Sequence, residues 1–165
     1  MAQDFTIRKS NAGDLPQLAD LRWRLQTDDE PVVDGAARKR FLDAFVSLSQ
    51  QRDERDLVHW VAADGDKLLA AMSVVIVRKV SSPRDLNGRW GYLTNVYALP
   101  EVRNQGIGGS LLAAIKTWAN DEGLELLTVW PSERAYPFYE RAGFARLPDP
   151  LVLSLERPAP MTDDR

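Results

Sequence analysis

Near the start of the chain, apolar and polar side chains alternate through Phe5-Thr6-Ile7-Arg8-Lys9, the two-residue period of a short strand. The period then lengthens. From Asp14 the apolar positions Leu15, Leu18, Leu21 and Leu25 recur every three or four residues. They form one face of an amphipathic helix, with Ser10-Asn11 available as its cap. Pro31 disfavours helix in the residue before it, so this helix stops ahead of Thr27-Asp28-Asp29-Glu30-Pro31. A second helical stripe, Ala37, Phe41, Ala44, Phe45 and Leu48, closes at the polar cluster Gln50-Gln51-Arg52-Asp53-Glu54. Two strand-like runs follow, 57–63 and 67–77. Asp64-Gly65-Asp66 joins them, because Asp-Gly tolerates the positive φ that a hairpin turn requires.

Residues 81–89 form a loop by composition, and 91–98 a strand closed by Pro100. Beyond a cluster of glycines, Leu111, Leu112, Ile115, Trp118 and Ala119 take helical spacing, with Gly123 where a helix C-cap belongs. The apolar, β-prone run 124–130 reads as a buried strand. A short helix spans 133–142, interrupted early by Pro137 and ended by Gly143, and 151–155 is a last strand. The order is strand, helix, helix, three strands, helix, strand, helix, strand. It predicts a mixed α/β (α+β) domain with helices packed on a mainly antiparallel sheet. A single domain is expected over residues 1–156, with a frayed tail over 157–165.

Composition narrows the function. The 165 residues suit one domain, and 44% hydrophobic content supplies a core. A net charge of -3, with no basic stripe, argues against a nucleic-acid partner. Arg38-Lys39-Arg40 is flanked by Asp34 and Asp43 and reads as a solvated helix face. The absence of cysteine rules out disulfides, thiolate metal sites and cysteine nucleophiles. The one histidine, His59, cannot build a histidine metal site, and within Leu57-Val58-His59-Trp60-Val61 it reads as a strand residue with a satisfied ring. No metal is therefore expected. No run of 18 apolar residues exists, so no membrane span is expected, and the N-terminus lacks the pattern of a signal peptide. The expected location is the cytoplasm.

The informative stretch is Val96-Tyr97-Ala98-Leu99-Pro100-Glu101-Val102-Arg103-Asn104-Gln105-Gly106-Ile107-Gly108-Gly109-Ser110-Leu111-Leu112. A strand enters a short loop, glycines follow, and an amphipathic helix begins. Bare glycine backbone approaches a ligand closely, and unpaired N–H groups at a helix start favour an anion such as a pyrophosphate. A dinucleotide fold asks for a third glycine where Leu111 stands, and a nucleoside-triphosphate loop asks for a lysine that is missing. A coenzyme A pyrophosphate site, with an arginine three residues before the first glycine, matches Arg103, Gly106 and Gly108, and a mere tight turn at a helix start is the alternative.

Arg103-Asn104-Gln105-Gly106-Ile107-Gly108 resembles the Arg/Gln-x-x-Gly-x-Gly/Ala signature of the GNAT superfamily of acyl-CoA N-acyltransferases. The later run Tyr139-Glu140-Arg141-Ala142-Gly143-Phe144 resembles that family's second signature, and the element order agrees from about Phe5 to Leu155. The resemblance implies acetyl-CoA as co-substrate and acetyl transfer to a primary amine of a small molecule or protein. It implies that Val96 and Ala98, flanking Tyr97, pair their backbone with the pantetheine arm. The N–H groups of Asn104, Gln105, Gly106, Ile107, Gly108 and Gly109, followed by Ser110, hold the pyrophosphate beside Arg103. The Val96 N–H faces the thioester oxygen. Tyr139 becomes the general acid at the departing sulfur. Ser132, where many relatives carry asparagine, either bonds the pantetheine or caps the next helix. A homodimer is a further expectation by resemblance.

Amide formation from a thioester needs a neutral amine, a stabilised oxyanion and a neutralised thiolate, and no covalent protein nucleophile. The base has no obvious bearer. Some relatives place a glutamate eleven residues before the motif arginine, where this chain has Tyr92. Deprotonation through water and Tyr92, Thr94 or Asn95, or an amine already partly neutral, remain open. Without turnover the same site would make a module that only binds acyl-CoA. Asp28-Asp29-Glu30 and Asp34 are either attractors for a cationic amine or an ordinary solvated loop, and Trp23 and Trp60 either line a pocket or belong to the core.

Overall fold

The structure is a computed structural model and describes residues 4–28, 34–147, 151–153 and 155. Among the described residues, five strands form one sheet in the order β1 (Thr6–Lys9), β2 (Leu57–Asp64), β3 (Lys67–Arg78), β4 (Arg89–Ala98) and β5 (Leu127–Val129). The first four pair antiparallel, and β5 joins β4 in parallel. Asp64 and Lys67 pair across the two-residue turn Gly65-Asp66, with Gly65 at φ 55°. That is the hairpin expected from Asp-Gly.

Four helices cover the sheet: α1 (Leu15–Thr27), α2 (Gly35–Gln50), α3 (Ile107–Asp121) and the short α4 (Tyr136–Arg141). Asn11 starts the first through a 3-10 turn. Its side chain accepts from Gly13 N (2.8 Å), and Asp14 accepts from Asn11 N (2.8 Å), a reciprocal cap that satisfies orphan donors. Asp34 accepts from Ala36 N and Ala37 N at the start of α2. Neighbouring strand residues point to opposite faces. His59 meets Phe45 of α2, at 6.2 Å between ring centroids, while Trp60 meets Trp118 of α3, at 6.1 Å. Thus α1 and α2 cover one face, and α3 covers the other. Leu18 and Leu93, with Leu69, Leu111 and Ile115, are fully buried between these layers, each worth about 1.5–3 kcal/mol of transfer free energy.

Two strand expectations fail. Only Leu127–Val129 of the run 124–130 pairs with β4. Leu124 and Glu125 instead bond back to Ala119 O and Arg89 O, at 2.9 Å each, and the ladder stops at Val129. Leu151, Val152, Leu153 and Leu155 belong to no strand and are 71–96% exposed. Apolar, β-prone composition makes a strand only where a neighbour offers a ladder, and no described strand offers one here. Pro137 does not interrupt its helix: it sits in the first turn of α4, where its missing N–H costs nothing. Residues 157–165 lie outside the described residues.

Beyond Leu93, β4 continues to Ala98 with no pairing to β5. The two parallel strands part there, and the loop after β4 leads into α3 at the mouth of the splay.

Candidate active site

The loop between β4 and α3 turns on two left-handed residues, Asn104 at φ 61° and Gly106 at φ 81°. Glycine suits position 106 because this region disfavours any Cβ. The first bond of α3 runs from Ser110 N to Gly106 O (3.0 Å). The N–H groups of Ile107, Gly108 and Gly109 therefore have no intrahelical acceptor. A Cβ on Gly109 would meet nothing within 4 Å, whereas one on Gly108 would sit 3.4 Å from Phe138 Cε2. A Cβ on Gly108 would thus reach α4 at ordinary contact distance. The face of Gly109 is open.

These backbone groups line a cleft of about 750 Å³, together with Ala98, Val102, Arg103 and Leu112 from the strand and helix and Phe138, Arg141 and Ala142 from α4. Lys116 reaches the same cleft and donates to Ala142 O (2.7 Å). Among the described residues, no carboxylate lines it. A helix N-terminus, a lysine and an arginine in one concave surface favour an anion. Sequence reasoning missed Lys116 and Arg141. The first was findable, since Gly109, Ala113 and Lys116 share one face of α3 by helical spacing.

Among the sequence-predicted residues, Ala98, Arg103, Asn104, Gly106, Ile107, Gly108 and Gly109 come together in the cleft, whereas Val96, Tyr97, Gln105, Ser110, Ser132 and Tyr139 do not line it. Arg103 turns back on the chain. Its Nε donates to Ala98 O (3.0 Å), and its guanidinium donates to Asp28 Oδ2 (3.1 Å). Asp28 also accepts from the Tyr97 hydroxyl (2.6 Å). Burial, and then this bond, push the Tyr97 phenol up to about 12. Asp28 thus ties the end of α1 to the end of β4, and its carboxylate is paired. Asp29 and Glu30 lie outside the described residues. Gln105 donates to Glu101 O (2.9 Å). Ser132 precedes a 3-10 turn at Glu133–Ala135 without a side-chain capping bond, so the capping role does not hold.

Tyr139 is buried on α4 with 5% exposure, edge-on to Phe138 and Phe144 at 5.0 and 5.5 Å between centroids. Burial pushes its phenol up to about 12. Its hydroxyl has no hydrogen-bond partner among the described residues. Tyr92 stacks edge-on with Trp130, at 4.9 Å between centroids. Trp23 packs on Phe41, at 5.6 Å.

At the centre of β4 the paired register jumps from Ser73–Thr94 to Ala71–Tyr97. Asn95 and Val96 face the single residue Met72, a β-bulge, and Asn95 adopts φ 51°. Its Nδ2 donates to Ser73 Oγ (3.1 Å), and Ser73 Oγ lies 2.7 Å from His59 Nδ1. The histidine ring is thus satisfied at Nδ1.

The chain matches the family model described as Acetyltransferase (GNAT) family over residues 15–144, most of its length. The protein belongs to the GNAT acetyltransferase family. No curated protein matches it. Solved structures place the fold in the same family. A possible acetyltransferase from Clostridium difficile 630 is similar at TM-score 0.73 and 23% identity, covering 93% of this chain and 97% of the other. A predicted acetyltransferase with acetyl-CoA from Clostridium acetobutylicum gives TM-score 0.71 and 23% identity, covering 92% and 96%. A glucosamine-6-phosphate N-acetyltransferase from Arabidopsis thaliana gives 0.67 and 18%, covering 93% and 99%. These likenesses carry the GNAT fold, and the mainly antiparallel sheet flanked by helices matches it. Among the described residues, no helix is long and apolar enough to cross a membrane.

Proposed function

We propose that this GNAT protein transfers an acetyl group from acetyl-CoA to a primary amine of a small molecule or protein, by direct attack within a ternary complex. One observation carries the reading. The left-handed turn at Asn104–Gly106 opens the first N–H groups of α3 into a cleft lined by no described carboxylate, at the mouth of the splay between β4 and β5. The residues present fit coenzyme A. The N–H groups of Ile107, Gly108 and Gly109 hold the pyrophosphate, with Lys116 and Arg141 adding positive charge. The β4 edge at Val96 and Ala98, which β5 leaves beyond Leu93, takes the amides of the arm as a strand takes a neighbour, and the Ser132 hydroxyl, released from capping, is available to that arm. Acetyl-CoA supplies a thioester activated toward amines.

The chain's own residues do the rest. The Val96 N–H at the bulge stabilises charge on the carbonyl oxygen. The Tyr139 hydroxyl, unpartnered and protonated, donates to the departing sulfur. Arg103 holds the β4 end through Ala98 O and Asp28. No carboxylate stands at position 92, so the amine reaches the site neutral or loses its proton through water. The same feature favours a second reading, a module that binds acyl-CoA without turnover. Calorimetry with acetyl-CoA, followed by thiol release across polyamines, aminoglycosides and peptide N-termini, separates the two. Binding with release supports transfer. Binding without release across the panel supports the module. No binding at millimolar acetyl-CoA refutes both.

A further inference from the structure

The interior of the sheet holds a polar chain that the acetyl-transfer reading does not use. Asp14 and Ser73 are the two buried polar residues in the described core, and Ser73 is 1% exposed in the middle of β3. Burying a hydroxyl is unfavourable unless its bonds are made. Here they are made sideways, across three strands. His59 on β2, Ser73 on β3 and Asn95 on β4 face α1 and α2 together, because His59 pairs with Ser73 and Ser73 with Thr94 beside the bulge.

With the Asn95 amide oriented nitrogen-first toward Ser73, the chain has one direction, and Asn95 Oδ1 is left buried without a partner among the described residues. An Asn95 amide nitrogen can only donate, so Ser73 Oγ accepts from it. The Ser73 proton then needs an acceptor, and His59 Nδ1 at 2.7 Å provides it. That requires a neutral ring. Burial, with Arg52 nearby, lowers the His59 pKa and keeps it so.

The chain ends at a strained residue. Asn95 is the only described residue within a strand with a left-handed backbone, at φ 51°. Such a residue turns the following peptide out of the ladder. That peptide carries the Val96 N–H, and Val96 has no partner in the β3 register. A glycine would adopt this conformation unaided. Asparagine adopts it at lower cost than most residues but benefits from an anchor.

We infer that His59 and Ser73 are positioning residues for acetyl transfer: through the Asn95 amide they hold the left-handed bulge that directs the Val96 N–H at the acyl carbonyl. The inference rests on the acetyl-transfer reading.

Its test reads the Val96 amide directly. Amide-labelled protein is titrated with acetyl-CoA and separately with coenzyme A, which lacks the carbonyl. In the native protein the Val96 resonance moves further with the ester than with the free thiol, while 107–109 respond to both. Ser73→Ala reduces the Val96 difference at least twofold and leaves the 107–109 response in place. His59→Phe, which keeps a ring against Phe45 but removes Nδ1, acts in the same direction. In an Asn95→Gly background, which needs no anchor, adding Ser73→Ala changes the Val96 difference no further. This comparison also separates a lost anchor from a poorly folded variant. In thiol-release assays Ser73→Ala lowers kcat about tenfold at unchanged KM for acetyl-CoA. A full Val96 difference in Ser73→Ala overturns the inference, as does an equal loss in the Asn95→Gly background. A native protein whose 107–109 resonances respond while Val96 does not overturns the inference alone. A native protein in which no resonance responds overturns the acetyl-transfer reading with it.

Discussion

Removing the Tyr139 hydroxyl tests whether this phenol assists the departing sulfur, and the structure sets the size of the effect. Burial raises the phenol to about 12. A thiol of ordinary acidity titrates near about 8.5, so complete proton transfer from Tyr139 to a thiolate runs uphill by about 5 kcal/mol. Tyr139 therefore acts as a hydrogen-bond donor to charge building on sulfur, with the proton retained until a later step. A hydrogen bond to a charged group contributes about 1.5–3 kcal/mol. Tyr139→Phe should accordingly lower kcat roughly 10- to 150-fold. It should leave stability within about 1 kcal/mol, because the hydroxyl has no partner to lose among the described residues and the ring keeps its contacts with Phe138 and Phe144. The assay is thiol release under single-turnover conditions, beside acetyl-CoA affinity by calorimetry and thermal unfolding. A phenol this weakly acidic also adds no alkaline limb to the rate profile below about pH 11. An unchanged rate refutes the assignment. So does a rate loss matched by an equal loss of acetyl-CoA affinity, since the hydroxyl would then serve binding alone.

Other expectations follow from the same geometry. Gly91→Ala places a Cβ 2.6 Å from Leu127 Cδ2 and 2.9 Å from Val74 Cγ1. It should destabilise the protein by about 1–3 kcal/mol in denaturant unfolding, as overpacking between β4 and β5 does. Lys116→Ala should weaken acetyl-CoA binding severalfold and flatten its salt dependence, read by calorimetry at two ionic strengths. Asp28→Asn removes the carboxylate shared by Tyr97 and Arg103. Arg103 is half-exposed and the Tyr97 phenol is neutral, so the stability loss should stay at about 1 kcal/mol, with the Tyr97 phenol shifting back toward its ordinary value in a spectrophotometric titration. His59 is held below its usual pKa, chiefly by burial, so the unfolded chain takes up the proton first. The stability associated with its neutral form is complete above the ordinary histidine range and falls as pH drops toward the lowered folded value. His59→Phe should flatten that part of a stability-versus-pH curve.

Much of the fold was legible because local and long-range preferences agree. Leu15, Leu18 and Leu21 mark the buried face of α1, and Gly65 and Gly123 take the positive φ that their positions imply. Legibility ended where pairing, rather than composition, decides. Leu124 and Leu151–Leu153 are as β-prone as Leu127–Val129, but only the latter have a strand beside them. The cleft followed from the glycines because φ at Gly106 and the open face of Gly109 are properties of single residues. Asp28 did not follow, since its meaning depends on Arg103, far along the chain. The partnership of His59, Ser73 and Asn95 was hidden for the same reason. Sequence reading saw a satisfied ring in His59 but had no means to name the hydroxyl directly opposite it across the β2–β3 hairpin.

The parting of β4 and β5 leaves folding incomplete in one respect: part of a strand edge in the middle of the sheet awaits hydrogen bonds that no other described strand supplies. Any guest lying along Thr94–Ala98 would close that seam, and its attachment and the sheet's cohesion would then draw on the same contacts. Amide exchange along this edge should therefore slow with guest concentration, the unfolding free energy should rise by about 2.7 kcal/mol at a hundred times the dissociation constant, and the unfolding midpoint should climb with it. Heat resistance would in that way become a gauge of how much of the donor pool the protein has captured.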